Sequence, residues 1–181
     1  MTEISGIIPA VNDFKQFRKF LESEYGTCVI MHCTIFDLET MFKELKSHGK
    51  QALIHCDLIK GLSADEYGAE YLCGKLHPAG LISIKPSVIS ACRKLSVTAV
   101  QRAFLIDSSA LEKSILSIEK IKPDYVELLP ALCTPLFPIL KERLKLPLIA
   151  GGLIQSKAMA EEILKTGVEA VTISMSTLLK G

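Results

Sequence analysis

Short apolar runs recur along the chain: Gly6 to Val11, Cys28 to Cys33, Ala52 to Asp57, Ala79 to Ile84, Val97 to Arg102, Tyr125 to Leu129, Pro147 to Ala150 and Ala170 to Ser174. Each has the length and the branched side chains of a buried strand. Between them lie amphipathic stretches that read as helices. Phe14, Phe17, Phe20 and Leu21 share one face after Asn12, and Leu38, Met41, Phe42 and Leu45 share another after Asp37. The segments Ser63 to Glu66 and Ser109 to Glu112 have capping-box spacing. Pro86 and Pro135 suit first helical turns, and Gly167 suits a left-handed helix end.

Eight strands alternating with helices allow an open doubly wound sheet or a closed barrel. No GxGxxG follows the first run, and an open sheet would leave apolar edge strands undisguised. The expected fold is therefore α/β, a shortened (β/α)8 TIM-type barrel forming a single domain over residues 1–181. Eight units in 181 residues leave roughly 23 residues each, so the loops must be minimal and the last helix a stub.

Composition agrees with such a core. Hydrophobic residues make up 49% of the chain and aromatics 6%, with no Trp, so Ile, Leu, Val and Ala must fill the interior. The formal charge of +1 gives no global attraction for nucleic acid, and an RNA partner would need a local patch. Lys120 with Lys122, or Lys141 with Arg143 and Lys145, are candidates, although ordinary solvated faces look the same in sequence. Cys28, Cys33, Cys56, Cys73, Cys92 and Cys133 lack metal-finger spacing and mostly sit in apolar runs, as reduced thiols of a cytoplasmic protein do. No metal site is expected. The start MTEISGIIPAVNDF lacks the basic and apolar regions of a signal peptide, and no run approaches a membrane span.

In a parallel sheet the ligand sits at the carboxyl ends of the strands. Alternation places Leu53, His55 and Asp57 on one face, and likewise Thr98, Val100 and Arg102. Tyr125, Glu127 and Leu129 align, as do Ala170, Thr172 and Ser174, while Lys85 follows the fourth strand. His55, Asp57, Lys85, Arg102, Glu127 and Ser174 thus form a polar ring above an apolar barrel. Internal ion pairing of Arg102 or Lys85 with Glu127 or Asp57 is the structural alternative. The seventh run ends in Gly151 and Gly152, and the eighth ends ahead of Ser174 to Thr177. Those are the two loops with which barrels hold phosphate, so backbone amides at Gly152 and Leu153 and hydroxyls at Ser174 and Ser176 join the candidate site. Lys85 or Arg102 would supply the cation, with Asp57 and Glu127 accepting from hydroxyls. The ligand so defined is a small phosphorylated polyol.

The segments ALIHCDLIKGLSADEYGAEYL, GLISIKPSVISACRKLSVTAVQRAFLIDSSALEKSI and KPDYVELLPAL, followed by PLIAGGLI, resemble the glycerol uptake operon antiterminator family over nearly the whole chain. The carrying motifs are Asp57 to Ser63, the pair Gln101 and Arg102, and Glu127 to Pro130. The resemblance implies a cytoplasmic regulator responsive to glycerol 3-phosphate. Such a protein binds the leader mRNA of glycerol-utilisation genes and prevents premature termination, with no cofactor and no catalytic residue. Homo-oligomer assembly could serve as its switching element.

Two other readings stay open. One is a small barrel enzyme of isomerase, aldolase or prenyltransferase type, for which His55, Asp57, Lys85 and Glu127 are chemically adequate but short loops offer no lid. The other is a sugar-phosphate sensor acting through a protein partner.

Overall fold

The computed structural model describes residues 4–180. Its eight strands are β1 (Gly6–Val11), β2 (Thr27–Ile30), β3 (Gln51–His55), β4 (Gly80–Ser83), β5 (Thr98–Phe104), β6 (Tyr125–Leu129), β7 (Leu148–Gly151) and β8 (Ala170–Ser174). All neighbours are parallel, and β8 pairs with β1, so the sheet closes in sequence order. The helices are α1 (Phe14–Leu21), α2 (Ile35–Ser47), α3 (Glu66–Leu76), α4 (Pro86–Lys94), α5 (Ser108–Ile121), α6 (Phe137–Leu144), α7 (Lys157–Leu164) and α8 (Met175–Leu178). The protein is a (β/α)8 barrel of TIM type, with a final helix of one turn.

Closure divides the core into two regions. Inside the barrel, Ile8, Ala10, Val29, Leu53, Ile82, Val100, Ile149 and Ala170 pack together. The residues between them in sequence point outward and pack under the helices, as Cys28, Ile54, Leu81 and Ala99 do on one side and Val126, Leu128, Ala150 and Val171 on the other. Twofold alternation along each strand produces both regions. Among the described residues no helix is long and apolar enough to cross a membrane.

Several boundaries differ from the sequence expectation, each for a local reason. Strand β3 ends at His55, and Asp57 lies in a one-turn 3-10 helix, Cys56–Leu58, rather than on the strand face. Asp13, not Asn12, caps α1 by accepting from the Gln16 N–H. Asp37 caps nothing as first residue: it is the fourth and last residue of a box whose first is Thr34, and it accepts from both Thr34 N–H and Thr34 Oγ1. Those hydrogen bonds hold its carboxyl below the usual range. Asp65 and Asp107 cap α3 and α5 in place of Ser63 and Ser109. Ser63 instead donates its hydroxyl to Asp65. Pro86 opens α4 as expected, whereas Pro135 lies in a separate 3-10 turn, Thr134–Leu136, before α6.

All six cysteines are free thiols, four of them buried. Burial raises the Cys28 and Cys56 thiols well above their ordinary value and pushes Cys33 up to about 12. Those three thiols stay protonated and fill space as apolar groups.

Candidate functional site

A cavity of about 250 Å3 opens at the carboxyl ends of the strands, lined in part by Arg102, Gly152, Leu153, Thr172 and Ser174. Its polar floor is built on the inward faces of β5, β6 and β8. There Arg102 Nε donates to Glu127 Oε2 at 2.6 Å, and Thr172 Oγ1 donates to Glu127 Oε1 at 2.7 Å. Glu127 is fully buried, and Arg102 is nearly so. A carboxylate at that depth is tolerable because each of its oxygens receives a donor. The internal pairing weighed from sequence is thus present, between Arg102 and Glu127.

Gly151 owes its lack of a side chain to this arrangement. A Cβ there would run into Thr172 Oγ1 and stand 3.0 Å from Glu127 Oε1. Replacing Gly151 by Ala is expected to lower stability by roughly 1–3 kcal/mol, the usual cost of overpacking, measured as a fall in the urea midpoint at unchanged m-value. Gly152 answers a different demand: its φ is 80°, and Leu153 follows at 61°. Leu153 is exposed, so no packing of its side chain into the core explains this conformation. The two left-handed residues turn the chain out of β7 and over the cavity rim, where both line the opening.

His55 lies inside the barrel, 3% exposed, with neither ring nitrogen hydrogen-bonded. Burial chiefly, and the Arg102 cation secondarily, push its pKa down to about 4 against the opposing pull of Glu127. It is neutral at physiological pH, so the 3.5 Å approach of its Nδ1 to Asp57 Oδ2 is not an ion pair. Asp57 is otherwise engaged, accepting from Ser83 Oγ and the Ile84 N–H, and so ties the β4–α4 connection to the end of β3. Ser174 and Ser176 share a hydroxyl–hydroxyl hydrogen bond of 2.7 Å beside the opening.

The structure therefore brings Arg102, Gly152, Leu153 and Ser174 to one cavity and sets Glu127, Gly151 and His55 in the inner layer of the barrel. Asp57, drawn to Ser83 and Ile84, and Ser176, bonded to Ser174, do not line the cavity, and Lys85 lies farther out. It is exposed at the start of α4 and lines no part of the cavity. Of the two cations weighed, Arg102 is the one at the opening. Thr172 is the residue that a search for charge passes over. It shares the inward face with Ser174, and only the Glu127 contact reveals its part.

In the basic clusters read from sequence, Arg143 and Lys141 are paired, whereas Lys120, Lys122 and Lys145 have no ion-pair partner among the described residues. Arg143 forks both Nη atoms onto Glu112 at 2.6 and 2.8 Å, and Lys141 contacts Glu169 Oε1 and the Gly167 carbonyl. Lys122 and Lys145 terminate α5 and α6, and therefore lie at the end of the barrel opposite the cavity.

Fold and cavity together define a parallel barrel with an arginine-bearing cavity at its carboxyl end. The chain belongs to the glycerol-3-phosphate responsive antiterminator family, whose model matches residues 7–179. It is 35% identical to the glycerol uptake operon antiterminator regulatory protein of Listeria monocytogenes (strain 4b F2365), whose crystal structure superposes with a TM-score of 0.92 over 97% of this chain and 95% of that one. A glycerol uptake operon antiterminator-related protein of Thermotoga maritima MSB8 is 30% identical, with a TM-score of 0.84 over 98% and 99% of the two chains. The YgcP protein of Escherichia coli (strain K12) is 29% identical over 92% of this chain and 87% of its own length. Solved barrel enzymes at 10% identity, with TM-scores of 0.69, share the fold alone.

Proposed function

We propose that this chain senses glycerol 3-phosphate in the barrel cavity and, in the loaded state, binds the leader of a glycerol-utilisation transcript so that transcription continues past a terminator. The observation that carries the ligand half is the convergence of Arg102 with the left-handed Gly152–Leu153 turn and Ser174 on one cavity. A phosphate ester suits that set: a guanidinium and backbone N–H groups for the anion, and hydroxyl and buried polar partners for a diol. The RNA half rests on family membership. A cytoplasmic location follows from the reading, since transcripts are there, and a reducing compartment suits six free thiols.

Allosteric coupling between two sites is typically about 1–3 kcal/mol, so ligand should tighten RNA binding roughly 5- to 150-fold. Calorimetry checks the first half. Glycerol 3-phosphate should bind with simple stoichiometry, and glycerol at least tenfold more weakly, because charge-assisted hydrogen bonds to the phosphate are lost. Repeating the titration with leader RNA present checks the second half by reciprocity. Equal binding of glycerol and its phosphate would remove the phosphate site. Ligand binding indifferent to RNA would remove the regulatory reading, and turnover of the ester would replace it with an enzymatic one.

A further inference from the structure

A second groove, of about 310 Å3, lies on the flank of the same end of the barrel, between the β4–α4 connection and α5. Its floor is Gln101, which faces outward from β5 while its neighbour Arg102 faces the ligand cavity. Gln101 is 5% exposed, and its Nε2 donates to the carbonyls of Ile84 and Arg102 at 3.1 and 3.2 Å. Those two acceptors fix the orientation of the amide and leave Oε1 as a buried acceptor with no partner. Native proteins seldom leave such an atom unsatisfied unless something else completes it.

The walls say what that is. Phe104 is 44% exposed at the end of β5, and Ile84 and Ile106 flank it, so an aromatic and two aliphatic surfaces stand open to solvent. Lys113 on α5 lines the groove, and the exposed Lys85 adjoins Ile84. No carboxylate lines it, and among the described residues neither lysine has an ion-pair partner. A π-face for stacking, a buried acceptor for an N–H donor and flanking ammonium groups for phosphates form the combination that holds an unstacked base of single-stranded nucleic acid.

We infer that this groove receives an unpaired base of the transcript, stacked on Phe104 with an exocyclic or ring N–H given to Gln101 Oε1, while Lys85 and Lys113 meet the adjacent phosphates. The inference rests on the antiterminator reading and places its RNA contact. It also gives the two ligands a common element. Residues Gln101 and Arg102 are consecutive on one strand, and the Gln101 amide is bonded to the Arg102 carbonyl, so a phosphate held by Arg102 steadies the stretch of β5 that positions the base acceptor.

The test is fluorescence anisotropy with a labelled transcript of the leader of the glycerol-uptake operon from the same genome, at saturating glycerol 3-phosphate, alongside calorimetry of the ester alone. Phe104→Ala and Lys113→Ala should each weaken RNA binding by roughly tenfold and leave ester affinity within about twofold, since neither residue lines the ligand cavity. Lys113→Ala should also reduce the slope of log affinity against log salt by about 1. The double variant Lys120→Ala/Lys122→Ala, on the far part of α5, should bind RNA as the unaltered chain does. RNA binding unchanged in both groove variants, or lost in the Lys120/Lys122 variant instead, would overturn the groove assignment and leave the antiterminator reading standing. Absence of RNA binding by the unaltered chain would overturn both.

Discussion

Arg102→Ala is expected to cost about 3–5 kcal/mol of stability, the range for removing one partner of a buried ion pair. The substitution leaves the Glu127 carboxylate at 0% exposure with only the Thr172 hydroxyl as donor. Chemical denaturation should show the midpoint falling at unchanged m-value. The double variant Arg102→Met/Glu127→Leu should recover most of that loss, because a buried pair replaced by apolar groups of similar volume is often neutral. Recovery has a functional consequence: the double variant should fold and yet fail to bind glycerol 3-phosphate. Arg102→Lys separates the two roles further, since an ammonium keeps the charge but cannot bond Glu127 and fork a phosphate at once. Full stability of Arg102→Ala would show that the carboxylate has another route to satisfaction.

The second large effect is a pH dependence. In the unfolded chain His55 takes up a proton near pH 6.5, whereas in the folded chain it resists protonation until about 4. Between those values the unfolded state binds more protons, so stability falls as pH falls through that window. Above pH 6.5 the residue contributes no slope. The full loss is about 3 kcal/mol from the linkage relation. His55→Gln should flatten the stability profile between pH 6.5 and 4 relative to the unaltered chain. A profile as steep as before would assign the acid sensitivity to other groups.

Much of this was legible in the sequence because burial on both faces of a parallel strand leaves an uninterrupted apolar run. Tyr125 to Leu129 and Ala170 to Ser174 coincide with β6 and β8. The count of eight and the stub after Ser174 carried the topology. What was hidden is what alternation cannot represent. Continuing a period of two from Leu53 puts Asp57 on the inner face, but the 3-10 turn at Cys56 breaks the period and sends Asp57 to the β4–α4 connection. Lys85 points outward for a different reason: Ile82 is the inward residue of β4, so Ser83 and position 85 fall on the outer parity. The starts of α1, α3 and α5 were misplaced for another reason: neighbouring acceptors such as Ser63 and Asp65 compete, and the winner depends on where the chain enters the helix. The adjacent glycines were conspicuous from the outset, yet sequence treats them alike. Only the structure shows one yielding room to a carboxylate and the other supplying a backbone angle.

That division has a consequence for the history of the family. Gly151, Glu127 and Thr172 fill a single volume from three different strands, so none of the three can change alone without disturbing the others. Relatives in which position 151 bears a side chain must carry a shorter residue at 127 or 172, and a lineage losing the acid at 127 releases position 151 from glycine. Position 152, tied to a backbone angle instead, should drift independently of that trio. Substitutions across diverged members should therefore separate the two glycines into different patterns of inheritance.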